Sequence, residues 1–262
     1  MPLADRFDGL LIDLDGVVWI GREPIPGSPQ ALRALLDAGK RLVFVTNNPG
    51  KPPTAYAKLL QKLGVLVGPE QIVTAGMVAA RLAGEAAAAG DGGAFVIGAP
   101  ALKEMVAASG ARLLAGEEAR GADVVVVSGH RGFDYAELLT AKRALDRGAA
   151  LVATSRDPTM PFPGGEVPGT GAILAAVETA SGRRAEIAGK PEQHLFEMAI
   201  EAIGGEGRLA MVGDRISSDI EGGREAGLKT ILVLSGTTSR DDAEAADPPP
   251  DHITESLSGL LA

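Results

Sequence analysis

A chain of 262 residues is long enough for one large domain or two modest ones with real cores. Apolar and charged contents of 45% and 23% are globular, while 25 Lys and Arg against 34 Asp and Glu leave a net charge of -9 and no basic run, which excludes a nucleic-acid footprint. The absence of cysteine excludes disulfides and thiolate metal sites. No apolar run reaches the roughly 18 residues of a membrane span and no leader pattern precedes the first apolar run, so the expectation is a soluble, cytoplasmic protein with no membrane partner.

In chain order, LLIDL (10–14) reads as a buried strand and SPQALRALLDAG (28–39) as a helix capped by Ser28, with Pro29 in its first turn. RLVFVTNN (41–48) is a strand, PPTAYAKLLQKLG (52–64) a helix stopped by Gly64, and QIVTAG (71–76) a short strand or strand end. From about residue 77 the pattern restarts. An Ala-rich helix leads to a strand at 94–99, a helix from Ala101 to Gly110 and a strand at 124–129. A helix from Tyr135 to Arg147, a strand at 151–155 and a helix from Thr170 to Ser181 follow.

The first pattern then resumes. A helix at 194–204, the strand LAMVGD (209–214), a helix at 217–227 and a strand at 229–236 precede a polar, Pro-rich loop at 241–251 and a short terminal helix. Strand–helix alternation throughout predicts an α/β protein with mostly parallel sheets.

Several strand ends carry acid. Asp13 closes one apolar run, with Asp15 just beyond it, and Asp214 closes another in GDRxxxD, which ends on Asp219. Thr46, Asn47 and Asn48 end a third, and Lys190 precedes a helix. In an open parallel sheet, ligands collect at the carboxyl ends of strands. Each feature alone has a bland reading: DxD as chance, TNN as a turn, GDR as a helix start favouring acids, Lys190 as a surface lysine. Taken together and in this order they have a chemical logic. Gathered carboxylates repel unless a hard cation such as Mg²⁺ lies among them. One carboxylate is then suited to attack phosphorus and a second to protonate the leaving oxygen. A Thr hydroxyl, Asn amides and a Lys suit the non-transferring phosphate oxygens.

Asp13-Leu-Asp15-Gly16-Val17, Thr46-Asn47-Asn48, Lys190-Pro191 and Gly213-Asp214-Arg215 with Asp219 resemble the four motifs of the haloacid-dehalogenase-like phosphatase superfamily. The insert between TNN and Lys190 is similar to the α/β cap of the class IIA branch. That branch holds p-nitrophenyl, nucleotide, glycerol-phosphate, phosphoglycolate and pyridoxal-phosphate phosphatases. HRGFDYAEL (130–138) and residues 153–182 carry the likeness within the insert.

The resemblance implies a Rossmannoid parallel-sheet core of residues 1–76 and 186–262 and an inserted cap of 77–185, with the site in the cleft between them. Asp13 is then the nucleophile and a Mg²⁺ ligand. Asp15 is the general acid/base, its carbonyl also a ligand. Thr46, Asn47 and Lys190 bind phosphate, and Asn48 contacts substrate or orients its loop. Asp214 ligates Mg²⁺, and Asp219 supports the metal shell through water or hydrogen bonds. The implied reaction is Mg²⁺-dependent hydrolysis of a small phosphorylated metabolite through an aspartyl-phosphate. The implied assembly is a homodimer formed by the cap.

Three alternatives stay open: transfer of the phosphoryl group to an acceptor other than water, a silent phosphate-ligand binder on the same fold, and a dehalogenase, disfavoured by Asp15 and the acids at 214 and 219. Ser155 stands where many relatives carry Asn or Asp, which leaves substrate choice open. Arg156 and Asp157 read as a pair on a turn or as substrate contacts. The scattered histidines show no metal-ligand spacing: His130 reads as a cap-loop residue, with substrate contact its minor reading, and His194 as a surface residue opening a helix, while Trp19 reads as packing. GGEVPGTG (164–171) reads as a tight turn ending on Thr170 as a helix cap.

Overall fold

The computed structural model describes residues 1–162 and 165–262. The chain divides into two compact units. One comprises Met1–Thr46, Pro53–Val73 and Lys190–Ala262, and the other Asn47–Pro52 and Thr74–Gly189.

The first unit is built on a six-stranded sheet in the order His252–Thr254, Lys229–Val233, Leu209–Gly213, Gly9–Asp13, Arg41–Thr46, Ile72–Thr74. The pairs from the first of these to Arg41–Thr46 are parallel. Strand Gly9–Asp13 is buried along its whole length because both faces are covered. Leu10 and Ile12 pack on one face with Leu32, Leu35, Phe44, Leu60 and Val212. Leu11, pointing the other way, is also fully buried. Each such side chain contributes about 1.5–3 kcal/mol of burial. The next strand in sequence, Arg41–Thr46, lies on one side of Gly9–Asp13, and Leu209–Gly213 lies on the other. The strand order therefore reverses at Asp13, which is where an open α/β sheet leaves a crevice at its carboxyl edge.

Several local expectations are corrected. Ser28 does not cap its helix. Gly27 does so, in a left-handed conformation (φ +83°) suited to glycine, while the Ser28 hydroxyl donates to the Val17 carbonyl at 3.0 Å. The expected helix at 217–227 is a single π-turn, Ile216–Ile220, followed by a short helix, Glu221–Glu225. The expected loop at 241–251 contains the helix Arg240–Ala245, whose N-cap Ser239 accepts from the Asp242 N–H at 3.2 Å, and leads into the edge strand His252–Thr254. Only Ala243 of that helix is buried, so it carries no apolar period to read.

The second unit has a five-stranded sheet, parallel throughout, in the order Glu186–Ile187, Ala150–Ala153, Val124–Val127, Gly93–Ile97, Arg112–Leu113. Helices Ala75–Ala88, Pro100–Ala108, Tyr135–Asp146 and Thr170–Ser181 accompany it. Its core gathers Ile97, Val125, Val127, Leu145, Leu151 and Leu174. The first helix starts two residues earlier than expected, because the Thr74 hydroxyl caps Met77 N–H at 3.2 Å.

Of the segment 164–171, Gly164 lies outside the described residues. Gly165–Pro168 is not a tight turn but a strand paired antiparallel with Thr159–Phe162. Thr170 is not a cap either. It is the first residue of its helix, and its hydroxyl accepts from the Gly129 N–H at 2.9 Å.

Candidate active site

Three parallel strands of the first unit deliver their last residues to one edge. Asp13 ends the central strand, Thr46 ends its neighbour, and Asp214 follows Gly213 on the other side. Asp13 is 7% exposed and Asp214 1%. Carboxylates so buried need partners.

Lys190 supplies one. Its buried Nζ donates to Asp13 Oδ1 at 2.6 Å and to Asp219 Oδ1 at 2.6 Å. The second Asp219 oxygen accepts from the Arg215 N–H at 3.0 Å, so the π-turn aims this carboxylate back at the strand end. Gly213 is required here, since a Cβ on it would strike the Asp219 side chain. One oxygen each from Asp13, Asp214 and Asp219 lies within 4.8 Å of the others.

Burial pushes the Asp13 carboxyl well above the ordinary carboxylate range, Lys190 pulls it back, and the acids at 219, 214 and 15 push it further up. Burial also raises Asp214, with Asp219 adding to the effect and the Thr237 backbone opposing it. Burial would lower Lys190, but the adjoining Asp13 and Asp219 charges more than offset it and the ammonium is held.

Asp214 is clamped by glycines. Its Oδ2 accepts from the Thr237 N–H at 2.6 Å, and a Cβ on Gly16 or Gly236 would collide with its carboxylate. Gly16 also has φ +85°, a conformation that favours glycine. The Ser235 hydroxyl donates to the Gly16 carbonyl at 2.8 Å, tying the two loops together. The other oxygen of Asp214, Oδ1, is buried with no hydrogen-bond partner. An orphaned carboxylate oxygen among three acids, all hard oxygen donors, fits a divalent cation such as Mg²⁺.

Asp15 is exposed, two residues past Asp13, and its Oδ1 accepts from the Trp19 indole N–H at 3.0 Å. Trp19 thus does more than pack. Tyr56, on the helix Pro53–Lys62, is 2% exposed and hydrogen-bonds Thr46. Burial pushes its phenol up, and the charges of Asp15 and Asp13 push the same way. Of the sequence-predicted site residues, Asp13, Lys190, Asp214 and Asp219 therefore meet in one cluster, with Asp15 and Thr46 in the same unit. Asn47 and Asn48 belong to the segment 47–52 of the second unit. There Asn48 Oδ1 accepts from the Gly50 N–H at 2.9 Å, and the Asn47 carboxamide lies 2.6 Å from where a Cβ on Gly189 would sit.

Sequence reasoning missed Tyr56, the Trp19 contact and the loop 235–238. Tyr56 gave no signal, since it falls on the apolar stripe of its helix with Ala57 and Leu60. Ser235-Gly236-Thr237-Thr238 follows a strand as the other site segments do, and was legible on that ground.

In the second unit, Arg156 is paired with Glu178 rather than with Asp157. Its guanidinium forks onto buried Glu178 at 3.0 and 3.1 Å. That carboxylate also takes Arg184 at 2.8 Å and the Ala185 N–H at 2.9 Å. Arg156 foremost holds Glu178 down to about 2. Ser155 is buried and accepts from the Asp157 N–H at 3.4 Å. His130 Nε2 meets Glu137 at 2.9 Å. His194 lies in the first turn of Gln193–Ala202, 3.9 Å from Glu197.

A family model described as haloacid dehalogenase-like hydrolase matches residues 10–112, and one described as HAD-hydrolase-like matches 187–260. The chain belongs to the haloacid dehalogenase-like hydrolases. This hydrolase is 37% identical to chronophin of Mus musculus over 268 residues, covering 97% of this chain and 91% of that one. It is 36% identical to the glycerol-3-phosphate phosphatase of Gallus gallus over 284 residues, covering 97% and 91%. Among solved structures it resembles glycerol phosphate phosphatase from Mycobacterium tuberculosis in complex with magnesium. The TM-score is 0.89 and the identity 36%, over 100% of this chain and 78% of that one. The suspected family and the parallel-sheet α/β core are both borne out.

Proposed function

We propose that the cluster at Asp13 is the active site of a Mg²⁺-dependent phosphatase acting on small phosphate monoesters. The observation that carries this reading is Lys190, buried between Asp13 and Asp219 beside an orphaned Asp214 oxygen. Asp13 is the nucleophile. Lys190 favours its ionised form and bonds a phosphate oxygen, Asp219 holds Lys190, and Thr46 with Asn47 and Asn48 binds the phosphate. Asp13, Asp214, the Asp15 carbonyl and the Asp219 shell would hold Mg²⁺, which supplies neutralisation of phosphate charge. Asp15 gives a proton to the departing alkoxide and later takes one from water.

The inserted residues, 77–185 in the sequence reading, act as the cap that selects the substrate. The named relatives support phosphate esters of small metabolites as the substrate class. Assembly as a homodimer through the cap rests on the resemblance alone. Among the described residues no helix is long and apolar enough to cross a membrane, and a cysteine-free chain agrees with a cytoplasmic location.

The test is phosphate release from p-nitrophenyl phosphate and a panel of metabolite monoesters, with Mg²⁺ and with EDTA, beside Asp13→Asn. The expected result is release that needs both Mg²⁺ and Asp13, falling by at least about a thousandfold in the variant. Undiminished release by Asp13→Asn would overturn the reading. So would a new ester in place of free phosphate.

A further inference from the structure

The loop after Asp13 folds back on itself. The Gly16 N–H donates to the Trp19 carbonyl at 2.8 Å, and the Val18 and Trp19 N–H groups donate to the Leu14 carbonyl at 2.9 and 3.2 Å. The turn carries the Trp19 indole over Asp15, whose Oδ1 takes its N–H at 3.0 Å. Trp19 is 7% exposed and belongs to the apolar core of the first unit, and its backbone begins the two-residue strand Trp19–Ile20 paired with Glu23–Pro24. Its position is therefore set by packing and by backbone, while Asp15 itself is exposed.

An indole N–H donates and cannot accept. The oxygen it contacts must be an acceptor whether Asp15 is ionised or protonated. We infer that Trp19 is a positioning residue for the acid/base. It holds the Asp15 carboxyl in one orientation through Oδ1. This rests on the proposed role of Asp15. In the first step a bond forms between an Asp13 oxygen and phosphorus, the ester P–O bond breaks, and its electron pair takes the proton from the Asp15 carboxyl. In the second, water gives a proton to the Asp15 carboxylate as its oxygen attacks phosphorus, and the Asp13–phosphorus bond breaks to release the Asp13 carboxylate and inorganic phosphate.

A basic alkoxide needs that proton to leave, whereas p-nitrophenolate leaves nearly unaided. Trp19 is the only tryptophan in the chain, so replacing tryptophan globally changes one site. β-(3-Benzothienyl)alanine keeps the shape of the ring and substitutes sulfur for N–H. The experiment compares kcat/KM for p-nitrophenyl phosphate and an alkyl phosphate, glycerol phosphate, in the wild type, the benzothienyl enzyme, Trp19→Phe and Asp15→Asn.

The expected result is a roughly tenfold loss on the alkyl ester in the benzothienyl enzyme, with the aryl ester within about twofold, and a loss of at least a hundredfold on the alkyl ester in Asp15→Asn. Trp19→Phe should follow the benzothienyl enzyme in direction. Equal losses on both esters, or no loss on either, in the benzothienyl enzyme would reduce Trp19 to packing and overturn the inference. If Asp15→Asn leaves the alkyl-to-aryl ratio unchanged, it is the assignment of Asp15 that fails.

Discussion

Replacing Lys190 by Met removes a charge and little volume. In the wild type Nζ lies 2.6 Å from one oxygen of Asp13 and 2.6 Å from one of Asp219, and none of the three side chains is more than 9% exposed. At an effective dielectric of about 20, each contact carries roughly 6 kcal/mol of gross attraction. Desolvation takes back several kcal/mol per ion, and deleting one partner of such a buried pair costs about 3–5 kcal/mol. Here the deletion leaves Asp13, Asp214 and Asp219 facing one another within 4.8 Å.

The linkage has a definite sign. Lys190 is raised in the folded state, so its contribution is complete below its unfolded pKa and is lost only as pH climbs through the higher folded one. The wild type keeps it across the neutral range. The variant's acids escape repulsion by taking up protons, so its penalty shrinks as pH falls.

The assay is denaturant unfolding in EDTA at neutral pH, followed by fluorescence of Trp19, which belongs to the same unit as the cluster. The expected loss is about 3–5 kcal/mol. It should narrow on acidification and on adding Mg²⁺, which binds the folded acids and restores a cation. A loss under about 1 kcal/mol, or one that widens as pH falls, would refute the reasoning.

Two further substitutions, with Gly121→Ala as a control, probe the supports of the site and of the second unit. Gly236→Ala drives a methyl into the Asp214 carboxylate, so the Mg²⁺ concentration for half-maximal activity should rise at least about tenfold, as for other ligand-support changes. Gly121→Ala, where a Cβ meets nothing within 4 Å, should leave that concentration unchanged. Glu178→Gln removes the charge and one of the two acceptor oxygens that hold Arg156 and Arg184, and should cost about 1.5–3 kcal/mol in thermal or denaturant unfolding at neutral pH. The folded Glu178 titrates at about 2 against an ordinary 4.5, so its stabilisation is present above 4.5 and is lost as pH falls toward 2. The melting curves of wild type and variant should converge there.

What the sequence displayed was the part set by local pattern. Strands such as Gly9–Asp13 and Val124–Val127 are buried on both faces and read as apolar runs, and an acid at the end of such a run is conspicuous. The short edge elements were hidden. Glu23–Pro24 and Arg112–Leu113 are two residues each and exposed, with no period to detect. Ser28 was read as a cap because serine favours that position. Its hydroxyl bonds instead to Val17, a long-range partner that no window of sequence reveals. Arg156 beside Asp157 suggested a local pair, and only the fold brings it to Glu178, 22 residues on.

The acidic and basic site residues Asp13, Asp15, Lys190, Asp214 and Asp219 were legible one by one. That Lys190 binds Asp219 as closely as Asp13 was not, because it depends on a π-turn that GDRxxxD does not announce. Tyr56 and Trp19 were hidden for the opposite reason. Both lie among core residues, and the polar tip of each reaches the site from within that core.

The central claim is that Asp13 carries the phosphoryl group. Acid quenching of the enzyme during turnover of p-nitrophenyl phosphate with Mg²⁺, followed by borohydride, reduces an acyl phosphate to the alcohol. Peptide mass spectrometry should then find homoserine at residue 13, and only in samples given substrate. An unmodified Asp13 under steady turnover, or reduction at Asp15, Asp214 or Asp219 instead, would contradict the account.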